Sequence, residues 1–265
     1  MQAFLPEHAV IGVVHLLPLP GAPRPGPGWP QVLARALADA QVLAEGGAAG
    51  CIVENLHDAP FPATGAEPHV VAFMTMAAAA IRARFGPPFR VGLNVLRNGG
   101  SEALSAAAAS GADFVRVNVW TGAAVTDQGI VQGIAREVLL TRRRLEAEVR
   151  IAADVLVKHA TPLTPLDAGQ AAREAVLRGG ADILLVTGPE TGSAVDLDRL
   201  ARVRAAVPGV PVWAASGVDA ANAALFREAC DAAVVGTALH RDRDLAAPLE
   251  RDRVRAVVEA FADAP

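Results

Sequence analysis

The 265-residue chain has no tyrosine, and its aromatic content is 4%. Acid or base chemistry must therefore come from histidine, carboxylate, cysteine or lysine side chains. Two cysteines are too few for a disulfide framework; Cys51 and Cys230 fall in predicted strands and read as buried small hydrophobes. No apolar run approaches the roughly 20 residues of a membrane-spanning helix. No basic segment followed by an apolar one marks a secretory leader. The formal net charge of −4 disfavours a nucleic-acid surface. These absences lead us to expect a cytoplasmic protein without an integral membrane segment or a nucleic-acid partner. Lysine is almost missing as well: of 24 basic residues, Lys158 alone is a lysine.

What is present is an alternation repeated eight times. Apolar runs of strand length fall at 10–15, 50–54, 89–95, 113–119, 149–157, 182–187, 211–215 and 231–235. Alanine-rich helical stretches follow at about 30–45, 69–85, 100–110, 130–147, 166–178, 197–206, 220–229 and 249–261. Near-continuous Val, Ile, Leu and Ala strands are those of a parallel sheet covered by helices. Eight near-equal units fit a closed α/β barrel, the TIM (β/α)8 fold, better than a doubly wound open sheet. The expectation is one domain over residues 1–265. A stiff Pro/Gly-rich loop at 17–30, carrying Arg24, is either a lid over the mouth or a plain crossover.

Arginine supplies nearly all the positive charge, so the one lysine stands out. Lysine, unlike arginine, changes its pKa readily on burial and can act as a base or nucleophile. Its simpler role is a point charge for an anion. Period-two alternation places His15, Glu54, Asn94, Arg116, Asn118, Asp154 and Lys158 on the inward faces of the first five strands. In a barrel these converge on the C-terminal mouth. Buried ionisable groups are costly unless paired or functional. The ring therefore reads as a site, with structural ion pairs Glu54–Arg116 or Asp154–Lys158 as the alternative. His15, Glu54, Asp154 and Lys158 are the candidate catalytic residues; Asn94, Arg97, Arg116, Asn118, Asp127 and His159 are candidate ligand contacts. Thr187-Gly188, Ser216-Gly217 and Gly236-Thr237 end strands six to eight. There, small residues let an anion approach backbone N–H groups, so these are the candidate phosphate site. No metal-ligand spacing is present and no cofactor is expected. His8, His69 and His240 lie away from strand ends and read as surface residues, whereas His57 and Asp58 are within reach of the mouth.

The motifs also carry a resemblance. Ile11-Gly12-Val13-Val14-His15 with Pro18-Leu19-Pro20-Gly21, Val53-Glu54-Asn55 with Asp58-Ala59-Pro60, and Asn94-Val95-Leu96-Arg97-Asn98 resemble the BtpA family. So do Gly111-Ala112-Asp113 through Val119, Thr126-Asp127-Gln128-Gly129, Asp154-Val155 with Lys158-His159, Ser216-Gly217-Val218 and Gly236-Thr237. Ala215 departs from the glycine often found before that Ser-Gly pair. The resemblance implies a barrel of the ribulose-phosphate-binding superfamily. It suggests an enzyme acting on a small phosphorylated sugar- or nucleotide-like substrate. From the role that named the family, it also suggests a biogenesis factor for a membrane complex such as photosystem I. A metal-dependent hydrolase is a third reading, and a homo-oligomer is compatible with all three.

Overall fold

The computed structural model describes residues 4–188 and 195–262. The stretch 189–194, which holds most of the glycine-bearing loop after strand six, lies outside the described residues. Eight parallel strands close into a barrel: β1 (Ala9–His15), β2 (Gly50–Glu54), β3 (Arg90–Asn94), β4 (Phe114–Val117), β7 (Arg150–Val155), β9 (Ile183–Val186), β10 (Val212–Ala214) and β11 (Ala232–Val235). β11 pairs back onto β1, with Ala9 opposite Ala232 and Gly12 opposite Val235. This is the TIM barrel expected from the strand pattern. Helices α1 (Trp29–Glu45), α2 (Pro68–Phe85), α3 (Gly100–Ser110), α4 (Ala135–Arg144), α5 (Ala168–Arg173), α6 (Leu197–Ala206), α7 (Ala223–Arg227) and α8 (Arg251–Phe261) cover it. Prolines sit in the first turn of α1 and α2, where a missing N–H costs nothing. The Asp167 carboxylate accepts from Gly169 and Gln170 N–H to start α5.

Strand alternation separates two apolar cores. Val10, Val14, Val53, Val91, Leu93, Val115 and Ile151 face outward against the helices. Ile11, Val13, Ile52, Phe114, Ala152, Leu185, Trp213 and Val234 fill the barrel. Gly92 is required here: a Cβ on it would lie 2.3 Å from the Phe114 ring. These inward faces agree with the alternation read from sequence, with one break. β7 ends at Val155, and Leu156 turns to a positive φ of 52° and packs on the outer core. Lys158 therefore reaches the mouth from a loop, not as the next inward strand position.

Residues 123–132 also differ from expectation. The pattern predicts a helix from about 130, but Ala123–Thr126 (β5) and Gly129–Gln132 (β6) form a hairpin. A short strand β8 (Thr161–Pro162) pairs with β5 and completes a three-stranded sheet beside the mouth. Gly129, at φ 100°, permits the tight return, and α4 starts only at Ala135. Cys230 lies just before β11 rather than in a strand; it is buried, as is Cys51. Burial pushes their thiols up to about 11 and about 12, so neither is a ready nucleophile.

Candidate active site

Strand register builds the mouth. His15 pairs level with Glu54, and Glu54 level with Asn94. One step beyond the pair Leu93–Val115, Asn94 comes level with Arg116. Four neighbouring strands thus present polar side chains in one row. Asp154 on β7 and Asn118, the residue just past β4, stand about one layer higher.

Two buried carboxylates organise this row. Asn94 Nδ2 donates to Glu54 Oε2 at 2.6 Å, and Arg116 Nη1 lies 4.0 Å from the same oxygen. Arg116 Nε and Nη2 reach Asp154 at 3.1–3.2 Å, and Asn118 Nδ2 donates to Asp154 Oδ2 at 2.8 Å. Arg116 is 5% exposed and Asp154 6%. A bidentate pair with a further amide donor is what a buried ion pair needs to persist. The structural pairing foreseen for Asp154 with Lys158 is absent, because Arg116 takes its place. Since each amide –NH2 must face its carboxylate, Oδ1 of Asn94 and of Asn118 points elsewhere. Among the described residues both oxygens are buried without a hydrogen-bond partner, and so is Arg97 Nε. Unmet buried polar groups at a mouth are the groups a ligand satisfies.

His15 Nε2 lies 3.9 Å from Glu54 Oε1, and its Nδ1 lies 3.1 Å from Nε2 of His240. His240 is 1% exposed, so it is not the surface residue expected from sequence. Its burial comes from a contact 225 positions away, which no local pattern records. Burial above all, then the charges of His240 and His57, holds His15 well below the usual imidazole range. Burial likewise lowers Lys158, with Arg116 adding to the shift and Glu54 and Asp154 opposing it. Among the described residues the Lys158 ammonium has no hydrogen-bond or ion-pair partner; its backbone N–H donates to Thr187 Oγ1 at 3.0 Å.

The mouth has two lobes. The larger, about 380 Å3, is lined by Asn94, Arg97, Asn118, Asp127, Gln128 and His159 among others. The smaller, about 50 Å3, is lined by Ser216, Gly217, Val218, Gly236, Thr237 and Arg243 among others. His15, Glu54, Arg116 and Lys158 line both. Asp154 lines neither lobe but, with Asn118 and Trp120, a separate cavity of about 240 Å3, and Thr187 and Gly188 line neither lobe. Arg97 Nη2 donates to the Lys158 carbonyl at 3.2 Å and tethers the loop. Arg243 was missed by sequence reading. It lies in an arginine-rich surface stretch, where its link to Asp219 at 2.7 Å cannot be foretold. Asp58 is not at the mouth: its carboxylate accepts from Leu19 N–H at 2.9 Å and pins the loop after β1. Among the described residues, no part of loop 17–30 lines either lobe, so a lid there has no support. No group of three His, Cys, Asp or Glu among the described residues is placed to hold a metal ion. No described helix is long and apolar enough to cross a membrane.

Fold and mouth together define a TIM-barrel protein whose ionisable residues gather at the C-terminal ends of the strands. A phosphoribosyl anthranilate isomerase from Thermus thermophilus shares this architecture at a TM-score of 0.57 and 14% identity, covering 96% of this chain and 98% of that one. More specifically, residues 6–263 match the BtpA family model, and the chain belongs to the BtpA family. It is 42% identical to the photosystem I biogenesis protein BtpA of Synechocystis over 99% of this chain and 91% of the relative. An uncharacterised protein of Thermococcus kodakarensis is likewise 42% identical, over 94% of both.

Proposed function

We propose that this protein is an enzyme that binds a small phosphorylated, sugar- or nucleotide-like molecule at the mouth and moves a proton within it. One observation carries the reading: His15, Glu54, Arg116 and Lys158 stand at the junction of two lobes of different chemistry. The smaller lobe offers Ser216, Thr237 and the side-chain-free backbone of Gly217 and Gly236, which suits a phosphate. Lys158 and Arg243 supply the positive charge. The larger lobe offers two buried amide oxygens, on Asn94 and Asn118, that suit hydroxyl donors. His15, kept neutral, accepts a proton at Nε2, and the Glu54 carboxylate 3.9 Å away stabilises the imidazolium that results. Asp154 holds Arg116 in place. Residues 1–265 then act as one domain, in the cytoplasm, on a diffusible substrate.

The experiment is a thermal-shift screen of sugar phosphates and nucleotides. A ligand at about 100 times its Kd stabilises the folded state by about 2.7 kcal/mol. The reading expects such a ligand, with its shift lost in Lys158→Met. If no phosphorylated compound stabilises the protein, the reading fails.

A second reading has its own support. The relative's name places that protein in photosystem I biogenesis, and this chain exposes Val125 (47%), Ile130 (57%) and Leu163 (52%) on its added sheet. Val125 and Ile130 are direct cross-strand partners, so they share one face. A factor acting through that face needs no mouth chemistry. A loss-of-function strain rescued by a Glu54→Gln, Lys158→Met double variant, but not by Val125→Asp, would favour it over the enzyme.

A further inference from the structure

His15 can serve as a base only if its free lone pair faces the mouth, and the histidine behind it decides that. His240 Nδ1 lies 2.7 Å from the Ala247 carbonyl oxygen. A carbonyl only accepts, so Nδ1 of His240 carries a hydrogen and donates it. Neutral His240 then has a lone pair on Nε2, and its partner at 3.1 Å is His15 Nδ1. That atom must therefore carry the His15 hydrogen. The second nitrogen, Nε2, is left bare on the side of Glu54, the mouth and Gly236. Gly236 makes room for the ring: a Cβ there would lie 3.1 Å from His15 Cε1.

The relay is anchored from outside the site. On α1, Arg35 donates to the carbonyls of Ala246 and Ala247 and, through Nε, to Asp39 at 2.8 Å. Asp39 in turn accepts from Leu249 N–H at 3.3 Å. The carbonyl that orients His240 is thus fixed on both flanks. Without His240, the strongest acceptor near His15 is the Glu54 carboxylate, 3.9 Å from Nε2. It would draw the single hydrogen onto Nε2 and turn the base into a donor. His240 and Glu54 compete for one hydrogen, and the geometry favours His240.

We propose that His240 is a positioning residue that fixes the His15 hydrogen on Nδ1 and presents the Nε2 lone pair to the substrate. The step it serves is a transfer of one proton from a substrate O–H or C–H to His15 Nε2. The N–H bond forms, and the electron pair of the broken bond stays on the substrate atom. The inference rests on the proposed function for its purpose but not for its test.

The test is nitrogen-15 NMR of the histidine rings in the intact, ligand-free protein near neutral pH. The unaltered protein is expected to carry the His15 hydrogen on Nδ1. His240→Gln preserves that state, because the amide oxygen accepts from His15 and the –NH2 group donates to Ala247. His240→Phe keeps the ring shape, loses both hydrogen bonds, and shifts the His15 hydrogen to Nε2. A hydrogen on Nε2 in the unaltered protein would overturn the inference, and so would a His240→Phe spectrum without the shift. If His240→Phe does not fold, the unaltered protein and His240→Gln still decide it. Failure of every phosphorylated compound to bind would strike the proposed function and leave this tautomer assignment standing.

Discussion

The two ends of the barrel use the same residue types to opposite ends. At the N-terminal end, three aspartates precede strands β4, β9 and β11. Asp113 accepts from Val91 N–H at 2.8 Å, Asp182 from Ile151 N–H at 2.8 Å, and Asp231 from Val212 N–H at 2.7 Å. Each thus satisfies an N–H at the first or second residue of a neighbouring strand. Arginines complete the pairing: Arg82 and Arg90 on Asp113, Arg142 on Asp182, Arg204 on Asp231. Below them Phe4 closes the barrel, stacked on Trp213 with Arg150 4.6 Å over its ring. At the C-terminal end, Glu54 and Asp154 are also paired with arginine and amides. There, however, acceptors on Asn94 and Asn118 and the Lys158 ammonium are left over. The aspartate–arginine pairs at one end fasten neighbouring strands to one another; at the other end the unmet acceptors and the Lys158 ammonium surround a pocket and leave it something to bind.

Substitutions at the two ends should separate these roles. The largest effect is expected from Asp154→Ala, which leaves Arg116 buried and unpaired. A loss of about 3–5 kcal/mol follows, read by urea denaturation. A loss below about 1 kcal/mol would mean that the pair is solvated and the upper end resembles ordinary surface. At the lower end Asp113→Ala removes a strand cap and two arginine contacts, costing about 2–3 kcal/mol. It should leave any ligand-induced shift unchanged, and a lost shift would break the division of labour.

Acidification comes next. Burial lowers the pKa of both His15 and His240. Below about pH 6.5 the unfolded chain takes up protons that the folded chain refuses, so stability falls as pH falls through that value. Each histidine contributes up to about 1.4 kcal/mol per pH unit. Asp39 and Asp58, raised by burial, act in the opposite sense at lower pH. Denaturation midpoints at pH 7.5, 6.5 and 5.5 check this, and His240→Gln should flatten the slope. The smallest stability effect belongs to Lys158→Met, within about 0.5 kcal/mol, since no partner is abandoned. A substantial destabilisation there would make Lys158 a structural residue.

Most of the architecture was legible because the parallel strands are mainly apolar runs, with glycine or polar residues at or soon after their ends. The inward register of His15, Glu54, Asn94 and Arg116 followed from alternation alone. Lys158 arrived at the mouth for a different reason, the left-handed turn at Leu156, and there the agreement was fortuitous. The hairpin at 123–132 escaped because its strands are four residues each and run directly into α4. His240 escaped because its neighbours are set by ring closure between the first and last strands. The three capping aspartates stand at the predicted starts of strands four, six and eight, two of them within Gly-Ala-Asp, but nothing local marks them as caps. Their role depends on which strand lies alongside.

A chain with one lysine has a practical property. Amine-selective reagents have one side-chain target here, besides any free α-amino group, and that target lines the mouth. Burial lowers its pKa and so enlarges the reactive, uncharged fraction at mild pH. A fluorophore ester would thus report occupancy directly: whatever fills the mouth should shield the label's only side-chain attachment point.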